Sequence, residues 1–427
     1  MTVQRLARGC SRLFLLELEA RAEPLCFTLS PEPSASPGTA DTDPAVWRRA
    51  FGSARRIFSV LAHAGGGRVQ TARCHSELVK TLSARLHRAC TLSPLTSFIP
   101  GVEGSVIQGF LLRDESDPTC AERVLRECRE REQVTVLEFE LEEDGGQPWC
   151  HELWTNPSAE PETGQRFYVT PAVVPHQHHP TTLDIISSHV FYRREDAYHV
   201  LQECRDIIPE SKAVLEIADT ELEANEQDRV FPVIVIEGLD ATGKTTLTES
   251  LQKALGAALL KSPPQCLAPY RLRFDSEPPL IRRAFYALGN YITAAQILRE
   301  ASQRTVIVDR FWHSTAAYAI ATAVRGSVEK LPTLGSEVYQ WPSDLLRPSL
   351  VLLLAVTPQE RLRRLQHRGL GQTEEETQLE VNDLFRQKVD EAYRRIQNPA
   401  CVAVDASPSP DQVLQQVLHL IRKACRL

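Results

Sequence analysis

The stretch Val233-Ile-Val-Ile-Glu-Gly-Leu-Asp-Ala-Thr-Gly-Lys-Thr-Thr246 constrains this chain more than any other. Val233 to Ile236 is an unbroken β-branched run, the pattern of a strand buried on both faces. Gly238-x-x-x-x-Gly243-Lys244-Thr245 follows directly. In the order strand, glycine-rich turn, helix, successive backbone N–H groups turn inward around a phosphate, and the opening helix adds its positive end. Gly238, Leu239, Asp240, Ala241, Thr242, Gly243, Lys244, Thr245 and Thr246 are therefore expected to cradle the phosphates of ATP. Lys244 should reach the β- and γ-phosphates, and the Thr245 hydroxyl should ligate Mg²⁺. A chance glycine-rich loop would lack the strand before it and the helix after it.

At 427 residues the chain is long enough for two domains. A net charge of −7 argues against general nucleic-acid binding, so any anion site must be a local concentration of arginines. No stretch approaches the roughly 18 apolar residues of a membrane span. The eleven cysteines are scattered with no C-x-x-C pair, which suits a reducing interior. Arg5, Arg8 and Arg12 precede the first acid, Glu17, so residues 1–20 suit a mitochondrial presequence, although Leu13 to Leu18 also reads as a first strand.

Pro31 to Pro44 reads as a loop, and Val46 to Arg88 as mostly helical with a turn at Gly65-Gly66-Gly67. Ala121 to Glu132 is a charged helix. Leu137, Phe139 and Leu141 alternate with Glu138 and Glu140 in a half-exposed strand, and Arg166 to Val174 reads as another. Residues 21–218 are thus expected to form a smaller α+β domain. His176-Gln-His-His179, flanked by Pro175 and Pro180, reads as a solvated loop, since no cysteine or carboxylate lies near enough to complete a zinc set. The acid-rich segment 219–228 reads as a linker.

From 229 to 427 strand and helix alternate. Strands are expected at Ala257 to Leu260, Thr305 to Asp309, Leu350 to Val356 and Cys401 to Val404, with a long helix from Pro279 to about Ser302. Thr357-Pro-Gln-Glu360, Thr373-Glu-Glu-Glu376 and Ser409-Pro-Asp-Gln412 each open a helix. This predicts a P-loop NTPase-type α/β fold: a parallel five-stranded sheet covered by helices, with ligands at the carboxyl ends of the strands.

A phosphate loop alone allows GTPase, ATPase, helicase or small-molecule kinase, but no Asn-Lys-x-Asp guanine signature occurs. Ile236-Glu-Gly-Leu-Asp-Ala-Thr-Gly-Lys-Thr245, with Asp240 inside the loop, resembles the thymidylate kinase family, and Val308-Asp-Arg-Phe-Trp-His-Ser314 is similar to its Asp-Arg motif. Lys261-Ser-Pro-Pro264, Ile281-Arg-Arg-Ala-Phe-Tyr286, Leu288-Gly-Asn-Tyr291, Tyr339-Gln-Trp-Pro342, Phe385-Arg-Gln-Lys-Val389 and Val404-Asp-Ala-Ser-Pro-Ser409 resemble its mitochondrial UMP-CMP kinase branch. In the N-terminal half the resemblance is thin, Gly109-Phe-Leu-Leu-Arg-Asp114 being its clearest trace. It implies ATP-dependent, Mg²⁺-assisted phosphorylation of UMP, CMP or a deoxy form, with ATP and pyrimidine monophosphates as small-molecule partners and no nucleic acid.

The same resemblance implies roles for single residues. Asp240 would reach the acceptor sugar, Arg310 the acceptor phosphate and Asp309 the magnesium shell. Tyr286 or Phe285 would stack on the base, and Tyr318 would lie near the sugar. Arg361, Arg363, Arg364 and Arg368 lead into a lid hinged at Gly369-Leu-Gly371. Some family members carry an arginine directly after the loop aspartate. Ala241 stands there here, so Arg364 or Arg368 is the expected transition-state cation. Asn290 occupies the helix position of a base-reading arginine, and its amide can both donate and accept toward cytosine or uracil. Competing expectations are a thymidylate or deoxynucleoside kinase, and a nucleotide-gated interaction protein working through its N-terminal domain. The oligomeric state is left open, a homodimer included.

Overall fold

The computed structural model describes residues 12–18, 24–33, 50–51, 56–62, 67–86, 90–102, 104–115, 118–131, 134–141, 147–153, 166–173, 179–223, 229–365 and 382–425. It divides the chain into two compact units, Met1–Ser187 and Ser188–Leu427.

In the first unit, eight described strands close into an antiparallel barrel. They are β1 (Leu13–Leu16), β2 (Leu25–Ser30), β3 (Arg56–Ala62), β4 (Cys90–Phe98), β5 (Ile107–Asp114), β6 (Val134–Leu141), β7 (Pro148–Glu152) and β8 (Phe167–Pro171), arranged in the order β1-β2-β8-β7-β6-β3-β5-β4. Phe14, Phe27, Phe51, Leu111, Leu137, Phe139, Phe167 and other apolar side chains fill the interior. Phe14 and Phe27 stack with ring centres 5.2 Å apart. Helices α1 (Arg68–Arg85) and α2 (Pro118–Arg131) lie against the outside, where Leu78, Leu82, Val124 and Leu125 meet Phe58, Val60 and Leu112. α3 (Pro180–Asp184) is capped by His179, whose Nδ1 accepts the Thr181 N–H at 3.2 Å. A side chain at Gly109 would run into the Val60 carbonyl of the paired strand, so only glycine fits there.

The smaller domain, expected to be α+β, takes the form of a closed barrel with helices packed on it. Two expectations need correction here. The segment 46–88, expected to be mostly helical, contains β3. Ile57 and Leu61 of β3 face the barrel interior while Phe58, Val60 and Ala62 face the helices. With both faces apolar, the alternation that marks a strand is lost. A presequence covering 1–20 would also run through β1, whose side chains are buried. Just before β1, Arg12 donates to the Ser97 hydroxyl and, at 3.0 Å, to the Ser105 carbonyl.

The second unit begins with α4 (Arg194–Glu203) and α5 (Glu210–Leu222). Then follow β9 (Val233–Gly238), α6 (Lys244–Leu255), β10 (Ala258–Lys261), α7 (Arg271–Asp275), α8 (Pro279–Ala301), β11 (Val306–Asp309), α9 (Trp312–Ala323), β12 (Leu350–Ala355), α10 (Pro358–Leu365), α11 (Asp383–Arg395), β13 (Val402–Asp405) and α12 (Pro410–Cys425). The five strands form one parallel sheet in the order β10-β11-β9-β12-β13. Ile234, Ile236 and Leu352 pack against Leu247 and Leu251 of α6 and Val417 and Ile421 of α12. Each such buried aliphatic contributes about 1.5–3 kcal/mol.

The expected linker at 219–228 is displaced, because Asp219–Leu222 completes α5. Val214, Leu215 and Ala218 are buried, α5 packs on α8, and Glu221 pairs with Arg299. Acids on the outer face of an amphipathic helix look like a linker when only charge density is read. Helix starts at Thr357 and Ser409 agree with expectation: the Thr357 hydroxyl accepts the Glu360 N–H at 3.3 Å and the Ser409 hydroxyl the Gln412 N–H at 3.4 Å. The start expected at Thr373 lies outside the described residues.

Candidate active site

β9 ends in the phosphate loop. Gly238 has φ 138°, and a Cβ there would sit 2.6 Å from the Leu354 carbonyl of β12. The loop therefore leaves the sheet at a point where only glycine fits. Ala241 at φ 62° and Arg310 at φ 66° are the positive-φ non-glycine residues among those described. Each costs on the order of 1 kcal/mol or more, a cost typical of backbone held for a site. The two positions face each other through their neighbours: Arg310 Nη2 donates to Asp240 Oδ1 at 2.7 Å, and Arg310 Nη1 to the Ser314 hydroxyl at 3.1 Å.

Beneath this pair lies Glu237, which is fully buried. It accepts the Phe311 N–H at 2.8 Å, the Ser314 N–H at 3.2 Å, the Ser314 hydroxyl, and the Tyr393 hydroxyl at 3.2 Å. Burial raises its pKa, and these hydrogen bonds and Arg310 oppose the rise. Glu237 thus ties the turn after β11 to the strand that leads into the phosphate loop, beside the strained backbone of Arg310. Its role was missed in the sequence, where it is one more residue of the loop motif.

Lys244 is buried, with Nζ donating to the Leu239 carbonyl at 2.8 Å and lying 3.8 Å from Asp240 Oδ1. Burial, then Arg310, push its pKa down to about 7, against the pull of Asp240, Asp309 and Glu237. A polyphosphate in the loop would supply the negative charge that keeps it an ammonium. Burial alone would raise Asp240, but Arg310 and Lys244 outweigh it and hold the carboxyl below its ordinary value.

A cavity of about 260 Å³ opens beside this group. Asp240, Ala241, Gly243, Lys244, Thr245, Asp309, Arg310, Tyr286 and Tyr318, all expected at the site, line it together. Tyr318 sits with its ring centre 5.7 Å from the Arg310 guanidinium carbon. Tyr286 is held by Asp275, to which its hydroxyl donates at 2.7 Å, and by Arg271. The alternative stacking residue, Phe285, is core, stacked on Phe274 at 4.6 Å. Lys261, Arg271 and Arg283 add positive charge to the same wall. They received no role from the sequence, although Lys261 and Arg283 stand inside motifs that resemble the family.

Two expected residues stand apart. Asn290 is 1% exposed and lies behind the wall, bonded to Ser262 and Thr315, which do line the cavity. Arg364 lines a second cavity with Thr242, Gly243, Thr246, Ser407 and Pro408. Its guanidinium donates to the carbonyls of Thr242 at 3.3 Å and Ala406 at 2.9 Å and to Glu360 at 2.7 Å. Arg361 reaches the Asp240 carbonyl at 3.0 Å. Arg368 lies outside the described residues.

The donor set fits Mg²⁺. Asp309 Oδ1 is a buried atom without a hydrogen-bond partner, and Thr245 shares its cavity. Hard oxygen donors of this kind are what magnesium takes alongside phosphate oxygens. Among the described residues, no group of three His, Cys, Asp or Glu gathers elsewhere to hold a metal, and no helix is long and apolar enough to cross a membrane.

A phosphate loop and an arginine, Arg310, lining one cavity with Lys244 and Asp309 give the site of a P-loop kinase. The thymidylate kinase model matches residues 236–417. UMP-CMP kinase 2, mitochondrial, of Homo sapiens is 46% identical over 403 residues, covering 91% of this chain and 88% of that protein. Thymidylate kinase of Xanthomonas oryzae pv. oryzae (strain PXO99A) is 31% identical over 203 residues, or 44% of this chain and 82% of that protein. The solved thymidylate kinase of Candida albicans is 21% identical with a TM-score of 0.37, covering 45% of this chain and 92% of that one. The chain belongs to the thymidylate kinase family, and it is a nucleoside monophosphate kinase.

Proposed function

We propose that this kinase transfers the γ-phosphoryl group of ATP to UMP, CMP, dUMP and dCMP in the mitochondrion. The carrying observation is the pair that Arg310 makes with Asp240 of the phosphate loop, in a cavity lined also by Lys244, Asp309, Ser314, Thr315 and Tyr318. Identity to a mitochondrial UMP-CMP kinase across both units supports the substrate class and the compartment, as do Arg5, Arg8 and Arg12 for the compartment. A leader compatible with β1 and with the contacts of Arg12 would end before Arg12.

An oxygen of the acceptor monophosphate attacks the γ-phosphorus as the bond to the β-phosphate oxygen breaks, giving ADP and a nucleoside diphosphate. The acceptor is already an anion, so no strong base is needed. The task is to hold two polyanions in line with their repulsion neutralised. Arg310 leaves Asp240 for the acceptor phosphate, which frees Asp240 for the sugar. Lys244 spans the β- and γ-phosphates. Thr245 and Asp309 would hold Mg²⁺, which supplies charge neutralisation at the phosphate oxygens. Arg364, between Thr242 and Ala406, guards the donor side.

ADP release should be measured with UMP, CMP, dUMP, dCMP and dTMP at saturating MgATP. Turnover of the uracil and cytosine nucleotides above dTMP is expected. Preference for dTMP, or turnover of none, would overturn the assignment.

A further inference from the structure

Asn290 joins the hydroxyls of two residues, Ser262 and Thr315, that both line the acceptor cavity. Its Oδ1 accepts the Ser262 hydroxyl at 2.7 Å, and its Nδ2 donates to Thr315 Oγ1 at 3.0 Å. The three residues come from three segments: the turn after β10, the middle of α8 and the first turns of α9. A hydroxyl has a single proton. Ser262 spends its proton on Asn290 and can show the cavity only lone pairs. Thr315 accepts an N–H hydrogen bond from Asn290 and keeps its own proton to give. The wall therefore presents one acceptor and one donor side by side. The amide oxygen and NH₂ group are nearly equal in shape, so half a turn of the amide exchanges the two roles without moving either hydroxyl.

Uracil presents an acceptor at O4 beside a donor at N3–H, whereas cytosine presents a donor at its 4-amino group beside an acceptor at N3. A fixed pair of hydroxyls would match one base and oppose the other. We propose that Asn290 is a positioning residue that polarises Ser262 and Thr315 in either sense, so that one pocket reads both uracil and cytosine. This rests on the pyrimidine monophosphate reading above.

Asn290→Asp in the full chain tests it. An ionised carboxylate accepts from both hydroxyls and leaves neither with a proton to offer. The neutral acid accepts from one and donates to the other, restoring the pair. Relative to the parent at the same pH, kcat/KM for UMP and CMP should fall about tenfold or more near pH 8, the cost of an unmade buried hydrogen bond. It should recover to within about threefold as the pH is lowered toward about 5.5, where a buried acid regains its proton. KM for ATP should stay unchanged. Lys261, Arg271, Arg283, Asp309 and Arg310 line the same cavity and are common to both proteins, so the ratio isolates position 290. A deficit independent of pH, or none near pH 8, overturns the proposal. Should the variant melt before assay, Thr315→Val removes one hydroxyl at constant shape. It should cost both substrates about tenfold in kcat/KM at unchanged KM for ATP, and equal turnover to the parent overturns the proposal. Failure of the parent to use either UMP or CMP would instead strike the pyrimidine reading itself.

Discussion

The two units bury similar apolar side chains and use them to opposite ends. In the barrel, antiparallel strands close on themselves, and Phe14, Phe27, Leu111 and Phe139 meet in a filled interior. In the C-terminal unit the strands are parallel, so all their carboxyl ends fall on one edge. There the chain must turn into helices, and the turns bring Asp240, Lys244, Asp309 and Arg310 to one cavity. A parallel sheet collects polar strand ends in one place, whereas an antiparallel barrel distributes them between two rims. Chemistry concentrates where topology concentrates backbone turns.

The sharpest way to break this contrast is truncation. A chain beginning at Ser188 should fold and retain nucleotide binding, because it keeps α4 and α5 on α8. A chain beginning at Arg229 should be insoluble or unfolded, because the apolar face of α8 that covers Val214 and Leu215 would meet water. Soluble expression and a cooperative melt of the shorter chain would return the boundary to the acid-rich segment.

Next in size are paired substitutions, one in each unit. Lys244→Ala should lower kcat by about a hundredfold to a thousandfold, the scale of a lost charge-stabilising donor, while its circular dichroism matches the parent. Phe27→Ala in the barrel core should instead cost about 3–5 kcal/mol of stability and leave kcat within about twofold in the folded fraction. Denaturant melts beside single-turnover rates separate the two, and a large kcat effect from Phe27→Ala would show that the filled barrel shares in the chemistry.

The smallest effect sharpens the site itself. Arg364 stands on the second cavity against Thr242 and Ala406. Arg364→Ala should therefore raise KM for ATP about tenfold, worth about 1.4 kcal/mol, with KM for UMP nearly unchanged. A hundredfold loss in kcat at constant KM would mark Arg364 as the transition-state cation expected where the loop carries Ala241 instead of an arginine.

The sequence by itself determined the phosphate loop, the five parallel strands, the long helix at 279 and the Asp309-Arg310 turn. These depend on local rules: glycine spacing, β-branched runs and capping boxes report on residues a few positions away. Tertiary structure alone decided the rest. β3 is invisible as a strand because helices cover the face that water would otherwise make polar. α5 passes for a linker until Glu221 is seen against Arg299. Asn290 looks like a base reader until Ser262 and Thr315, brought from distant segments, take up its amide. Glu237 looks like part of a loop motif until Phe311, Ser314 and Tyr393 converge on it. Hydrogen bonds and packing between residues far apart in the chain leave no periodic trace in it, so only the folded molecule shows which polar groups are spent inside the wall and which remain to meet a substrate.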